Sequence, residues 1–163
     1  MLLGMSLLAS ACSDDEASRG DDGAITEAGD VDAFDARVGD CLRVDEDNLT
    51  QEFEQLPAVP CAEEHSHEIY AVVDMAEQDE GERFTRGAAY PGESVLMEDA
   101  QSVCAAEFEP YVGTDYVNSG LFFTYLVPSV QSWQEEDERD RTIVCLVSGT
   151  GEPETGSVKG SQR

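Results

Sequence analysis

The residues best suited to chemistry stand together in "PCAEEHSHEIYAVVDM", Pro60 to Met75. His65 and His67, the chain's two histidines, lie two residues apart, with Glu63, Glu64 and Glu68 around them and Cys61 just upstream. If strand geometry reaches back through this stretch, Glu63, His65 and His67 share a face, a carboxylate–imidazole set of the kind that holds a transition metal. Further ligands must come from elsewhere, because no HExxH-type helical motif accompanies them. The structural reading of the same residues is that His65 orders the turn after Cys61 by hydrogen bonds while His67 faces solvent. The sequence favours that reading. No metal or cofactor is assigned, and Glu63, His65 and His67 stand as the candidates if a metal site exists.

Other chemistry is thinner still. There is no GxSxG turn for a nucleophilic serine and no glycine-rich phosphate loop. A carboxylate pair for glycoside hydrolysis can be drawn from 36 acidic residues in too many ways to carry information. The aspartate runs Asp14-Asp15, Asp21-Asp22 and Asp45 to Asp47 lack the spacing and the glycine of a calcium-binding EF-hand. No catalytic residue is assigned.

The cysteines are more informative. The chain begins "MLLGMSLLASAC": Met1 to Ala11 is apolar and small, too short to cross a bilayer, and reads as a signal-peptide core. Ala9-Ser10-Ala11-Cys12 resembles a bacterial lipobox, which makes Cys12 the lipidation site; the lack of Lys or Arg before it points to a start codon further upstream. With Cys12 set aside, Cys41, Cys61, Cys104 and Cys145 remain, an even set without a CxxC unit, and two disulfides are expected. Four cysteines allow three pairings.

Charge bounds the partners. A formal charge of −27, from 36 acidic against 9 basic residues, repels nucleic acid and anionic headgroups. The acids run through every segment, which reads as a solvated, salt-adapted surface in preference to a face built for a basic partner.

The elements that position these residues follow from patterning. Residues 1–11 form the signal peptide, and 12–36, rich in Asp, Glu, Gly, Ala and Ser, read as a lipidated, disordered acidic tether. The folded domain spans 37–149, and 150–163 form a loose tail. Within the domain, Arg37 to Val44 alternates, with Val38, Leu42 and Val44 on one face, and Asp45 to Gln55 reads as a polar loop. Glu68 to Met75 is a strand with Ile69, Ala71, Val73 and Met75 on one face. A helix from Glu93 or Ser94 to about Glu109 carries Leu96, Ala100, Val103, Cys104 and Phe108 on one stripe, and Pro110 is expected to end it. Gly120 to Pro128 and Arg141 to Gly149 supply two more strands. The order predicts an α+β fold: a small two-layer domain, an antiparallel sheet with one main amphipathic helix and two disulfides. On this map Cys41 pairs with Cys61 across one loop, and Cys104 on the helix pairs with Cys145 in the last strand.

The ordered motifs are also familiar as a set. "VGDCL" at Val38 to Leu42, "VPCAEEHSHEIYAVVDM", "YPGE" at Tyr90 to Glu93, the helix with Cys104, "YVG" at Tyr111 to Gly113, Ser132-Trp133 and "IVCLV" at Ile143 to Val147 together resemble the septum-formation-related domain of actinobacterial envelope proteins. The resemblance covers about Val38 to Gly160. The family's Pro-His-x-x-Glu segment appears with Glu64 in place of the proline and with His65 and Glu68 matching; its Gly-Asp-Arg appears as Arg139-Asp140-Arg141. The resemblance implies a link to cell division and no known enzyme activity. The expectation is therefore a non-catalytic, membrane-anchored extracytoplasmic binding module on the outer face of the cell membrane, whose partner is an envelope or division protein or a cell-wall component. The alternative from another class is a metal-dependent hydrolase, or a metal- or solute-binding lipoprotein, centred on His65.

The charge yields a direct prediction. Folding concentrates like charge that the unfolded chain spreads apart, and raising salt from 0.1 M to 1 M shortens the screening length from ~10 Å to ~3 Å. Exposed ion pairs lost to screening contribute only about 0–1 kcal/mol each. The melting temperature is expected to rise from low to molar sodium chloride, and more steeply with calcium. Thermal melts across ionic strength check this; a flat or falling trend means that the acids are well paired.

Overall fold

A computed structural model describes residues 16–44, 55–78, 83–135 and 139–163. Residues 1–11, Cys12 and most of the loop expected at Asp45 to Gln55 lie outside the described residues. Six strands form one antiparallel sheet in the order β3-β5-β4-β6-β8-β7. They are β3 (Gly29–Asp32), β4 (Cys41–Leu42), β5 (Gln55–Val59), β6 (His67–Asp74), β7 (Phe122–Leu126) and β8 (Thr142–Ser148). A small hairpin, β1 (Ser18–Arg19) with β2 (Ile25–Glu27), precedes the sheet. The short helices α1 (Met75–Gln78) and α3 (Val130–Gln134) flank the main helix α2 (Glu93–Val112). The domain is α+β, with one main helix and two disulfides.

The pleat of β8 divides the interior. Ile143, Cys145 and Val147 point towards α2 and pack with Leu96, Ala100, Cys104 and Phe108, the stripe expected of that helix. Val144 and Leu146 face the other way and join Ile25, Val31, Leu42, Leu56 and Ile69 in a second cluster. Fully burying an aliphatic or aromatic side chain contributes about 1.5–3 kcal/mol, so both clusters are needed by a domain that carries this much like charge.

Several expectations need correction. First, Ile69 does not share a face with Ala71, Val73 and Met75. The β6–β8 register shifts between Ile69 and Ala71, so Tyr70 is an extra residue that turns Ile69 into the second cluster while Tyr70 and Ala71 both face α2. Secondly, Pro110 does not end α2, which runs one turn further to a left-handed Gly113 at φ 90°. The carbonyl of Ala106, deprived of its amide partner, belongs to an exposed residue that water can serve. Thirdly, Glu16 to Ala36 is not a free tether: it forms β1, β2 and β3, and Ile25, Val31 and Ala36 are buried. Fourthly, the tail is docked. Glu154 pairs with His65 through backbone hydrogen bonds of 2.9 and 2.8 Å, and Val158 is buried. Gly160 and Gln162 donate their amides to the carbonyls of Tyr111 and Val112, satisfying the end of α2. Val38, expected with Leu42 on an apolar face, is half exposed.

The turn before β8 sets a specific strain. Arg139 adopts φ 43°, a left-handed conformation, at the residue that replaces glycine in the resembled Gly-Asp-Arg segment. Its recorded hydrogen bonds are made by its backbone, to Glu135 and Arg86. A left-handed L-residue costs roughly 1–2 kcal/mol, partly offset by the greater unfolded-state freedom of glycine. Arg139→Gly is expected to stabilise the domain by about 0.5–1 kcal/mol. Denaturant melts of the two proteins read this directly, and destabilisation means the arginine side chain holds something that the turn requires.

Candidate functional site

The buried polar side chains gather where β4 and β6 meet. The short β4 places Cys41 opposite Glu68 and Leu42 opposite His67. Immediately before β4, Gly39 turns the chain at φ 97° and brings Asp40 inside. Asp40, His65, His67 and Glu68 are all at most 3% exposed. An ionisable group in that setting needs partners, and each partner can be named.

Glu68 accepts three hydrogen bonds: from Tyr111 Oη at 2.6 Å, Ser157 Oγ at 2.5 Å and the Val158 amide at 2.7 Å. Those donors come from the end of α2 and from the tail, so one carboxylate fastens sheet, helix and C-terminal segment. Burial, and next the Glu68 carboxylate, pushes the Tyr111 hydroxyl well above its usual range, so it remains a proton donor. Asp40 is held from the other end of the chain. Arg19 grips it in a two-pronged ion pair of 2.6 and 2.7 Å, and the Arg37 amide donates to it at 2.8 Å. The hydrogen bond to Asp40 raises the Arg19 pKa further.

The histidines are structural parts of the same region. His65 Nδ1 lies 2.9 Å from the Glu63 carbonyl, ordering the turn as expected, while its backbone pairs with Glu154. Arg163 holds the Glu154 carboxyl below its usual range through a two-pronged ion pair. A side chain at Gly149 would press on the Glu154 carboxylate and displace it from its present place. His67 departs from expectation: it is buried, not solvent-facing, with Nδ1 3.0 Å from Ser66 Oγ. Glu63 is exposed and pairs with Arg43 at 3.3 Å. Among the described residues, the potential metal-ligand atoms that cluster within 4.8 Å of one another belong to Cys41, Cys61 and Glu68, not to Glu63, His65 and His67. Both sulfurs of that cluster are bonded to each other.

The disulfides join Cys41 to Cys61 and Cys104 to Cys145, with Cα separations of 5.2 and 5.5 Å. In the chain-entropy account, closing loops of these lengths contributes about 3–4 kcal/mol each. A buried cation completes the framework. The guanidinium of Arg141, 1% exposed, lies 3.5 Å over the Trp133 ring and donates to the carbonyls of Thr85, Trp133 and Asp140. Burial lowers its pKa, with a further contribution from Arg86. Trp133 Nε1 donates to the Ala88 carbonyl at 2.9 Å, so the segment before α2 is tied to the entry of β8.

Sequence reasoning missed Asp40, Arg19, Tyr111, Ser157 and Arg141 as interior partners. For Asp40 a signal existed: an isolated acid between Gly39 and the apolar Cys41-Leu42.

The Glu68 assembly can be tested by removing charge while keeping shape. Glu68→Gln turns one acceptor oxygen into a donor facing other donors, and is expected to cost about 2–3 kcal/mol. Tyr111→Phe and Ser157→Ala each delete one donor and should cost about 1 kcal/mol. Urea melts measure the three values. Hydrogen exchange at the Val158 amide should accelerate in Glu68→Gln more than exchange in β8; equal acceleration throughout would assign Glu68 a general stability role without tail fastening.

With this geometry in place, comparison with known proteins is informative. The chain is 28% identical over 128 residues to the "Putative lipoprotein LppN" of Mycobacterium tuberculosis, and equally to that of Mycobacterium bovis. The match covers 76% of this chain and 62% of each relative, so the chain spans less than two thirds of the length of the curated relatives it matches. No solved structure matches. The sequence profile of the family described as Septum formation matches residues 38–162, which takes in Asp40, all four bridged cysteines, Glu68, Tyr111, Arg141 and the docked tail. The chain belongs to the septum formation family.

Proposed function

We propose that this protein is a non-catalytic binding module of the cell envelope, extracytoplasmic, anchored by a lipid on Cys12 to the outer face of the cell membrane, and serving septum formation. Family membership supports the link to division. The Ala9-Ser10-Ala11-Cys12 pattern and the lipoprotein name of the mycobacterial relatives support the anchor. The observation that carries the non-catalytic reading is the fate of the side chains best suited to chemistry. Cys41, Cys61, Cys104 and Cys145 are bridged, His65 and His67 are buried, and Asp40 and Glu68 are surrounded by donors from the chain itself. Groups engaged in this way hold the fold and offer a substrate neither a free nucleophile nor a free base.

The docked N-terminal segment also sets the working distance. Glu16 already bridges to Asp30, so three residues, Ser13 to Asp15, stand between a lipidated Cys12 and the fold. The four steps from Cys12 to Glu16 span at most ~14 Å. The domain then operates close to the bilayer, and its partner is a membrane-proximal envelope or division protein or cell-wall component; the −27 charge disfavours nucleic acid.

Cys12→Ser is expected to move the protein from the membrane fraction to the soluble fraction. Retention through an uncleaved leader would replace the lipid anchor with a signal anchor. A fluorescent fusion of the native chain should concentrate at the septum of dividing cells, and an even distribution around the envelope removes the link to division.

A further inference from the structure

Among the described residues, one interior strand has an open edge. β6 lies between β4 and β8, but β4 pairs only with His67 and Glu68. The last backbone contacts on that side are Gly39 to Ile69 at 2.7 Å and Ile69 to Asp40 at 2.8 Å. From Tyr70 to Asp74, β6 has β8 on one side and, among the described residues, no strand on the other. The direction of its backbone groups follows from the ladder. Met75 donates to the Arg141 carbonyl on the β8 side, so by the two-residue alternation Val73 and Ala71 face β8, while Val72 turns its amide and carbonyl outward and Asp74 its amide, the Asp74 carbonyl being taken by the first turn of α1. This edge borders an open groove of about 390 Å³ whose lining includes Val38, Val72, Asp74, Glu77 and Glu107. Val38 and Val72 are 50% and 36% exposed, which is enough for apolar contact with an incoming chain. Glu77 and Glu107 are exposed on the rim, and Asp74 faces Arg86 in an ion pair.

We propose that this groove binds an extended, basic segment of a partner protein, which adds as a strand to β6 alongside Tyr70 to Asp74. The inference rests on the binding-module reading and names its site and the chemistry of its partner. Three features select that occupant. The outward backbone groups of Val72 and Asp74 are matched by a chain in β conformation, which supplies an amide and a carbonyl at every second residue. The opening is about five residues, or roughly 16 Å, long. The rim acids Glu77 and Glu107 select Lys or Arg side chains, in a protein whose own cations are outnumbered 36 to 9. Natural sheets guard open edges with charge, and the acids here do so against a second copy of this chain, since both copies would bring the same negative rim.

The test uses the full chain carrying Cys12→Ser and a blocked peptide, Lys-Val-Arg-Val-Lys, titrated at low salt and followed by backbone amide NMR. The expected result is saturable binding with the largest shifts at the Val72 and Asp74 amides. Alternate N-methylation of the peptide should abolish binding, because it removes strand pairing and keeps charge. The charge-reversed peptide Glu-Val-Glu-Val-Glu should not bind. The double variant Glu77→Gln with Glu107→Gln should weaken binding by about fivefold or more while leaving the fold intact. Val72→Pro, which removes an outward amide without touching the β8 ladder, should weaken binding as well. No saturable binding, equal binding of the N-methylated peptide, or shifts elsewhere on the protein would each overturn the proposal, as would concentration-dependent self-association that uses the same amides. Anchoring and septal localisation are measured separately, so a failure here is distinct from a failure of the anchored, septal reading.

Discussion

A carboxylate taken out of water costs several kcal/mol unless donors replace its hydration, and the centre of this sheet holds two, Asp40 just before β4 and Glu68 in β6. Neither is served by its own strand. Apart from the neighbouring Arg37 amide on Asp40, the donors come from far along the chain: Arg19 for Asp40, and Tyr111, Ser157 and Val158 for Glu68. The need for donors at two adjacent interior sites thus draws in both ends of the polypeptide, and the β1–β2 hairpin and the C-terminal tail become parts of the domain. The ends also carry Ile25, Val31 and Val158 into the two apolar clusters, so donor supply and burial act together in ordering them.

Arg141 poses the opposite problem and has a different solution. It is a buried cation whose guanidinium is met by backbone carbonyls and an aromatic face instead of a carboxylate contact. Asp140 beside it is raised by burial, and its oxygen is spent on the Thr142 amide at 2.8 Å. The carbonyls come from Thr85, Trp133 and Asp140, so this one side chain coordinates three segments that share no strand pairing. The acidic site secures the two chain ends, and the basic one secures the approach to the main helix and the entry to the last strand.

What could be read from the sequence was the part governed by local periodicity. The stripe Leu96, Ala100, Cys104, Phe108 repeats at the helical interval, and β8 alternates cleanly, so helix, last strand and the bridge between them were legible. β5 was not, because Pro57 argues against a strand flanked on both sides. Its carbonyl accepts from Arg43, so the missing amide points to the same side, at the end of β4, where the ladder has run out. β3 was hidden because Gly29–Asp32 contributes a single apolar residue, Val31, and owes its pairing to β5. The bulge at Tyr70 leaves no local trace: inserting one residue shifts which face is apolar without altering composition. The acidic N-terminal stretch has the composition of a disordered chain, and its order depends on Arg19 meeting an aspartate twenty-one positions away. The candidate histidines were found by type and misjudged in part by environment, since burial of His67 depends on strands that pair around it.

The two disulfides close loops that follow one another along the chain, Cys41 to Cys61 and then Cys104 to Cys145, and neither loop encloses or crosses the other. This has a consequence for biogenesis. A polypeptide emerging from a translocation pore amino-terminus first presents these cysteines in the order in which they pair. With Cys12 taken up by the proposed lipid, an oxidase that joins each newly arrived thiol to the one waiting nearest upstream produces the native set without any reshuffling. Cys41 has already emerged, a short loop away, when Cys61 appears, and the pair is consumed before Cys104 is delivered. A bond between Cys61 and Cys104 requires that Cys41 first be passed over, so the order of delivery itself protects the sheet and helix from being stitched together wrongly.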